Sequence, residues 1–128
     1  MTELELKIYR IVAGIPAGKV MTYGQVAEAA GNKNLCRVVG NTMHKNPVPF
    51  VELARECGYT GDFEIDSEME NRFCEMGIGR VPCHRVVNAS GSMGKNFGLG
   101  GPEVQEKMLR SEGVKIHSSS IDSGTAVL

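Results

Sequence analysis

Apolar residues at Leu4, Ile8, Ile11 and Val12 return to one face at helical spacing, and they predict a first helix. Thr2-Glu3-Leu4-Glu5 ahead of them has the form of a capping box, and Gly14 with Pro16 stops the run. Lys19-Val20-Met21-Thr22 loses the period and reads as a short extended piece. Thr22-Tyr23-Gly24-Gln25 is a second capping box, opening a small helix that reaches Ala30 and ends at Gly31. After a turn at Asn32-Lys33-Asn34, a third helix is expected over 35–45, ended by Asn46-Pro47. Its Leu35, Val38, Val39 and Met43 form an apolar face, and Arg37, Asn41, His44 and Lys45 form a polar one. Two short helices around a tight turn predict a helix-turn-helix.

The pattern breaks over 50–80. A short helix over 51–57, a turn at Gly58-Tyr59-Thr60-Gly61 and a helix over 67–76 are expected, followed by Gly77 and Gly79. The β-branched run 81–87 reads as extended, and 88–101 as a Gly-rich loop. Pro102 starts a last helix through Glu112, closed by Gly113, and 114–116 reads as a strand. The Ser-rich end from His117 reads as a loose tail, so the domain is expected over 1–118 with 119–128 outside it.

The chain has 128 residues, 41% apolar and 23% charged, which fits one globular domain rather than a disordered segment. Trp is absent and aromatics make up 5%, so the core must rest on Val, Ile, Leu and seven Met. No apolar run approaches the roughly 18 residues of a membrane span. The acidic start is neither a secretory leader nor a transit peptide, so the expectation is a cytoplasmic protein, nuclear in a eukaryote, with free thiols. The net charge of −1 hides an asymmetry. Residues 50–80 carry eight acids and three bases, which leaves +4 for the rest and points to an anionic partner for the body alone.

Pro82-Cys83-His84-Arg85 is the sharpest chemical feature. A thiol attacks as thiolate, and an adjacent base or cation promotes ionisation. On a strand, consecutive side chains diverge, so Cys83 and His84 would communicate through a water. The plain alternative is a buried structural Cys beside a capping His. Glu112 stands in a last helical turn, where the macrodipole disfavours an anion by about 0.3–1 kcal/mol. Either it serves a site or it pairs with Arg110 or Lys115. The polar face of the third helix could follow phosphates, with Gly40 allowing close approach to a groove, or it is a solvated face. The glycines of 88–101 do not spell a phosphate loop and read as a turn-rich wall beside Cys83. Cys36, Cys57 and Cys74 lack metal-site spacing with His44 or His117, and no metal is expected. Cys36 reads as core.

Together, Ile15-Pro-Ala-Gly-Lys-Val-Met-Thr-Tyr-Gly24, Arg37-Val38-Val39-Gly40 through Asn46-Pro47, Val81-Pro82-Cys83-His84-Arg85-Val86 and Glu112-Gly113-Val114 resemble the C-terminal DNA-binding domain of O6-alkylguanine-DNA alkyltransferases. The likeness covers about 1–49 and 81–115, in the family's order. It implies an α/β, mainly α, winged helix-turn-helix-like domain with an acidic insertion at 50–80. It also implies a protein that flips a damaged guanine from the duplex and takes its alkyl group irreversibly on a thiolate. Cys83 matches the acceptor, His84 the general base acting through water, Glu112 the acid that orients it, and Asn46 the brace of the active-site turn. Arg37 matches the finger that fills the vacated stack, Tyr23 the residue that helps rotate the nucleotide, and Val86 a backbone contact to the base. Gly40, Asn41 and Lys45 lie on the helix that enters the minor groove. The implied partner is double-stranded DNA containing O6-alkylguanine, bound by a monomer. Alkyl transfer to a thiolate needs no cofactor.

The residues hold no counterpart of the family's RNase-H-like domain. Alkyltransferase-like proteins, which share the EEGV-type end, also lack it, but carry Trp or Ala where this chain has Cys83. Two functions are therefore read: single-turnover repair, which Cys83 favours, and non-enzymatic lesion binding that flags damage for another pathway. A plain helix-turn-helix regulator would not need Cys83. About thirty extra residues separate Pro49 from Val81. Their charge predicts that they project from the pocket rim, opposite Arg37 and Lys45 and away from DNA, with Cys57 and Cys74 structural. The loop position that usually presents a Tyr aligns near 95–97.

Overall fold

Thr2 and Glu5 exchange side-chain and backbone hydrogen bonds of 3.0 and 2.9 Å, which start α1 (Glu3–Ala13) and bury Ile8, Tyr9 and Val12 on its inner face. The structure, a computed structural model, describes residues 1–94 and 97–121. β1 (Met21–Thr22) runs directly into α2 (Tyr23–Ala29), whose Thr22–Gln25 box closes at 3.1 and 2.8 Å. The turn after α2 tightens into a 3-10 helix, Lys33–Leu35, because the Asn32 side chain accepts from the Asn34 amide at 2.8 Å. α3 (Cys36–His44) follows and completes the helix-turn-helix. Its Val39 and Met43 pack with Ile8, Val12, Val26 and Ala27, and the Tyr9 hydroxyl donates to the Thr42 carbonyl at 2.9 Å.

Cys36 is not core. As the first residue of α3 it is exposed, and its thiol turns back to the Lys33 carbonyl at 3.2 Å. Cys74 is also exposed, whereas Cys57 is half-buried.

The acidic segment forms α4 (Val51–Glu56) and α5 (Ser67–Glu75). Its two ends meet where the Val81 amide donates to the Val48 carbonyl at 3.0 Å. Arg80 ties them together, reaching Glu70 at 2.6 Å, Glu52 at 2.7 Å and the Pro49 carbonyl at 3.2 Å. Phe73 of α5 is fully buried, with its ring 5.4 Å from that of Tyr9. Val51 and Ala54 of α4 join Leu99, Val104 and Met108 in a second apolar cluster. The segment is thus a packed part of the body, despite its charge.

The stretch 81–87 departs from the extended expectation. A 3-10 turn occupies Cys83–Arg85, and only β2 (Val86–Val87) is a strand. β2 pairs in parallel with β1, Met21 opposite Val86 and Thr22 opposite Val87. α6 (Gly101–Ser111) follows the Gly-rich loop. β3 (Ile116–His117) and β4 (Ser120–Ile121) then form a hairpin. Residues 117–121 are therefore structured, where the Ser-rich composition read as a loose tail. Ser118 and Ser119 take left-handed φ of 52° and 61°, which closes the hairpin, and Ile121 packs with Val20, Val87 and Leu109. Residues 122–128 lie outside the described part. Among the described residues no helix is long and apolar enough to cross a membrane, and no cluster of His, Cys, Asp and Glu could hold a metal.

Candidate active site

The 3-10 turn separates the side chains of Pro82-Cys83-His84-Arg85. With three residues per turn, neighbours diverge by about 120° rather than alternating across a strand. Cys83 keeps 9% of its surface accessible and faces a cleft of about 960 Å³, whereas His84 has none and Arg85 7%. The last two turn towards Glu112, the C-cap of α6.

Glu112 turns inward to His84 and Arg85. Its Oε1 lies 2.9 Å from His84 Nε2 and accepts from Arg85 Nε at 3.0 Å, and its Oε2 accepts from Arg85 Nη2 at 2.5 Å. Arg110 instead donates to the Ile116 carbonyl at 3.0 Å. Burial works to raise the Glu112 pKa, but the hydrogen bonds and charges of His84 and Arg85 outweigh it and hold the carboxyl at about 2. Arg85 also donates to the Ile15 carbonyl at 2.7 Å, so it ties the end of α6 to the loop after α1.

Burial lowers the His84 pKa against the opposing pull of Glu112, so the ring is neutral at pH 7. An ionised Glu112 only accepts, so the imidazole proton sits on Nε2 and Nδ1 carries the lone pair. Nδ1 is buried and has no hydrogen-bond partner. Phe50 flanks the pair, 5.2 Å from the His84 ring and 5.0 Å from the Arg85 guanidinium. Burial pushes the Cys83 thiol up to about 11, with a hydrogen bond from Asn46 acting in the other direction. Asn46 is itself buried, donating to the Val81 carbonyl at 2.9 Å and accepting from the Val48 amide at 3.0 Å. The long acidic segment leaves this brace intact because its ends meet at Val48 and Val81.

The cleft collects several predicted positions. Tyr23 enters its wall from the first turn of α2, and Arg37, Gly40, Asn41 and His44 enter from α3. Burial, and then the Cys83 charge, raises the Tyr23 pKa. Two candidates lie elsewhere. Lys45 is ion-paired with Glu5 across to α1. Val86 is fully buried, and its carbonyl accepts from Gln105 at 3.0 Å. The acidic segment reaches the cleft rim, where Phe63 contributes to the lining. Of the loop positions near 95–97, residues 95 and 96 lie outside the described part, and Phe97 lines the cleft.

Sequence reasoning gave Arg85 no role beyond its place in the motif, and it missed Phe50 and Gln105. Gln105 donates to the carbonyls of His84 and Val86, each at 3.0 Å, and accepts from the Gly94 amide at 2.9 Å. Its signal was available: a polar residue within the apolar stripe of Val104, Met108 and Leu109.

A family model described as the DNA-binding domain of 6-O-methylguanine DNA methyltransferase matches residues 3–52 and 75–114. Alkyltransferase-like protein 1 of Schizosaccharomyces pombe is 30% identical over 122 residues, covering 94% of this chain and 85% of that protein. Methylated-DNA–protein-cysteine methyltransferases of Cricetulus griseus and Homo sapiens are 29% and 30% identical over 84% and 85% of this chain. The chain spans only 37% and 38% of their lengths. Among solved structures, S. pombe Atl1 in complex with damaged DNA containing O6-carboxymethylguanine superposes with a TM-score of 0.59 at 30% identity, covering 91% of this chain and 82% of that one. A second S. pombe complex with DNA gives 0.62 at 27% identity, covering 98% and 92%.

Proposed function

The chain belongs to the 6-O-methylguanine DNA methyltransferase family, and we propose that it repairs O6-alkylguanine in duplex DNA by moving the alkyl group onto Cys83 in a single turnover. The observation that carries this reading is the tautomer imposed on His84. Glu112 accepts a hydrogen bond from Nε2–H, which leaves an unpartnered lone pair on Nδ1, one residue along the chain from the thiol. One water between them would pass the Cys83 proton to Nδ1. The thiolate then attacks the alkyl carbon, an S–C bond forms, and the C–O6 bond breaks with its electron pair left on guanine. The imidazolium returns the proton to the base, so the net change is thiol plus alkylguanine to thioether plus guanine. With the resting thiol near pKa 11, free thiolate is scarce at neutral pH, and the relay takes the proton only as the bound alkyl carbon is attacked.

Arg37, Asn41 and His44 are exposed along one face of α3 at the mouth of the cleft, where phosphates and a groove could meet them. Gly40 supports that docking. A Cβ there would meet nothing within 4 Å, and its φ is not left-handed. The fold has no use for glycine at this point, although glycine costs a helix interior about 0.5–1 kcal/mol. Close approach of another molecule explains the choice.

A second reading, lesion binding without transfer, is favoured by the high resting pKa of Cys83 and by the near full-length likeness to alkyltransferase-like protein 1. Intact-protein mass spectrometry after incubation with an O6-methylguanine duplex separates the two. Transfer adds one methyl group to the wild type and none to Cys83→Ser. An unmodified wild type that still binds the lesion selects the second reading.

A further inference from the structure

The acidic segment contributes a residue to the cleft that the family pattern does not supply. Residues 53–74 fall between the two matched stretches, and Phe63 lies among them. It shares the cleft with Cys83, Arg37, Phe97 and Leu99. The backbone of Phe63 is held without help from its ring: its amide donates to the Tyr59 hydroxyl at 3.2 Å, and its carbonyl accepts from Arg55 Nη2 at 2.7 Å. Gly61 makes this loop possible, because a Cβ there would overlap the Tyr59 ring. Phe63 stays half-buried, packed against the edge of the second apolar cluster.

Its neighbours Asp62 and Glu64 are exposed carboxylates, so a phosphate is disfavoured there. What Phe63 offers to a ligand is an apolar, aromatic face. Resting on the reading of the cleft as the site for an extrahelical O6-alkylguanine, we propose that Phe63 is a specificity-determining residue that contacts the O6 substituent and favours bulky, apolar, aromatic groups over methyl. The segment would thus tune which lesion is held, while α3 engages the DNA.

The test measures equilibrium affinity by fluorescence anisotropy in a Cys83→Ser background, so that no transfer disturbs the equilibrium. Duplexes carry guanine, O6-methylguanine or O6-benzylguanine at one position. Phe63→Ala is expected to weaken the benzyl duplex about tenfold, within what aromatic stacking on a base is worth on alanine substitution, with little change for undamaged duplex. Phe63→Leu keeps apolar bulk without the ring and is expected to fall between, and it decides the question if Phe63→Ala fails to fold. The inference is overturned if the benzyl-to-guanine affinity ratio is unchanged in the folded variants, or if all three duplexes weaken by one common factor. A Cys83→Ser protein with Phe63 intact that prefers neither lesion over guanine overturns the reading of the cleft itself, a failure visible before any Phe63 variant is compared.

Discussion

Replacing Gly40 by Ala should move stability and DNA affinity in opposite directions. Gly40 is the middle residue of α3, and the space a Cβ would enter is empty within 4 Å. Without DNA, the substitution therefore removes a helix-interior glycine with no steric penalty. The gain is about 0.5–1 kcal/mol, part of it from a less flexible unfolded chain. For a chain of this size that is a rise in Tm of about 2–5 °C. With DNA, the added methyl group sits between the α3 backbone and the groove wall, flanked by Arg37 and Asn41. Overpacking of a close contact costs about 1–3 kcal/mol, so affinity should fall about five- to 150-fold. Thermal unfolding followed by circular dichroism reads the first effect. Anisotropy with a short duplex at fixed salt reads the second, because phosphate contacts make any affinity salt-dependent. A stabilised variant that binds DNA as well as the wild type would refute the close approach of this backbone. A destabilised variant would refute the claim that the fold has no use for the glycine.

Two further outcomes follow from the buried charges and the thiol. The Glu112 carboxyl is held at about 2 against an ordinary 4.5, so its contribution to stability, roughly 3 kcal/mol, is complete above about pH 5. It is lost as pH falls towards 2, because the unfolded chain takes up the proton first. Urea unfolding between pH 6 and 3 should show this decline, and Glu112→Gln should flatten it more than Glu5→Gln, whose partner Lys45 is solvent-exposed. An equally steep decline in Glu112→Gln would place the acid sensitivity elsewhere. For Cys83, a thiol near pKa 11 should resist iodoacetamide at neutral pH while exposed Cys36 and Cys74 react, with its rate climbing as pH rises. Asn46→Ala should slow it further, since the Asn46 hydrogen bond favours the thiolate. Peptide mapping of the four cysteines reads the order, and preferential labelling of Cys83 at neutral pH would contradict the burial argument.

Local chemistry made much of this protein legible in one dimension. Both capping boxes, the two faces of α3 and the stop at Asn46-Pro47 are written in residues three or four apart, and the structure places them at those positions. The PCHR tetrad and the misplaced charge of Glu112 were visible as oddities, and the order of the matched segments pointed to the family. The likeness implied that Glu112 orients His84, but local residue pattern alone did not join them. A short apolar run such as 81–87 carries no period that separates a strand from a 3-10 turn, and the choice depends on what Pro82 and Val81 meet in space. The pairing of β1 with β2 brings Tyr23 to the same cleft as Cys83, sixty residues on, through backbone hydrogen bonds that any sequence can make. The identity of Glu112's partners was decided by burial: His84 and Arg85 are both enclosed with it, and a buried charge must be paired where it lies. The acidic segment shows the same division. Its charge could be counted from the sequence, but Phe73 in the main core, Phe63 at the cleft and Arg80 across its neck are tertiary facts. They arise because apolar side chains find a common core at any sequence distance, a condition that neither net charge nor periodicity encodes.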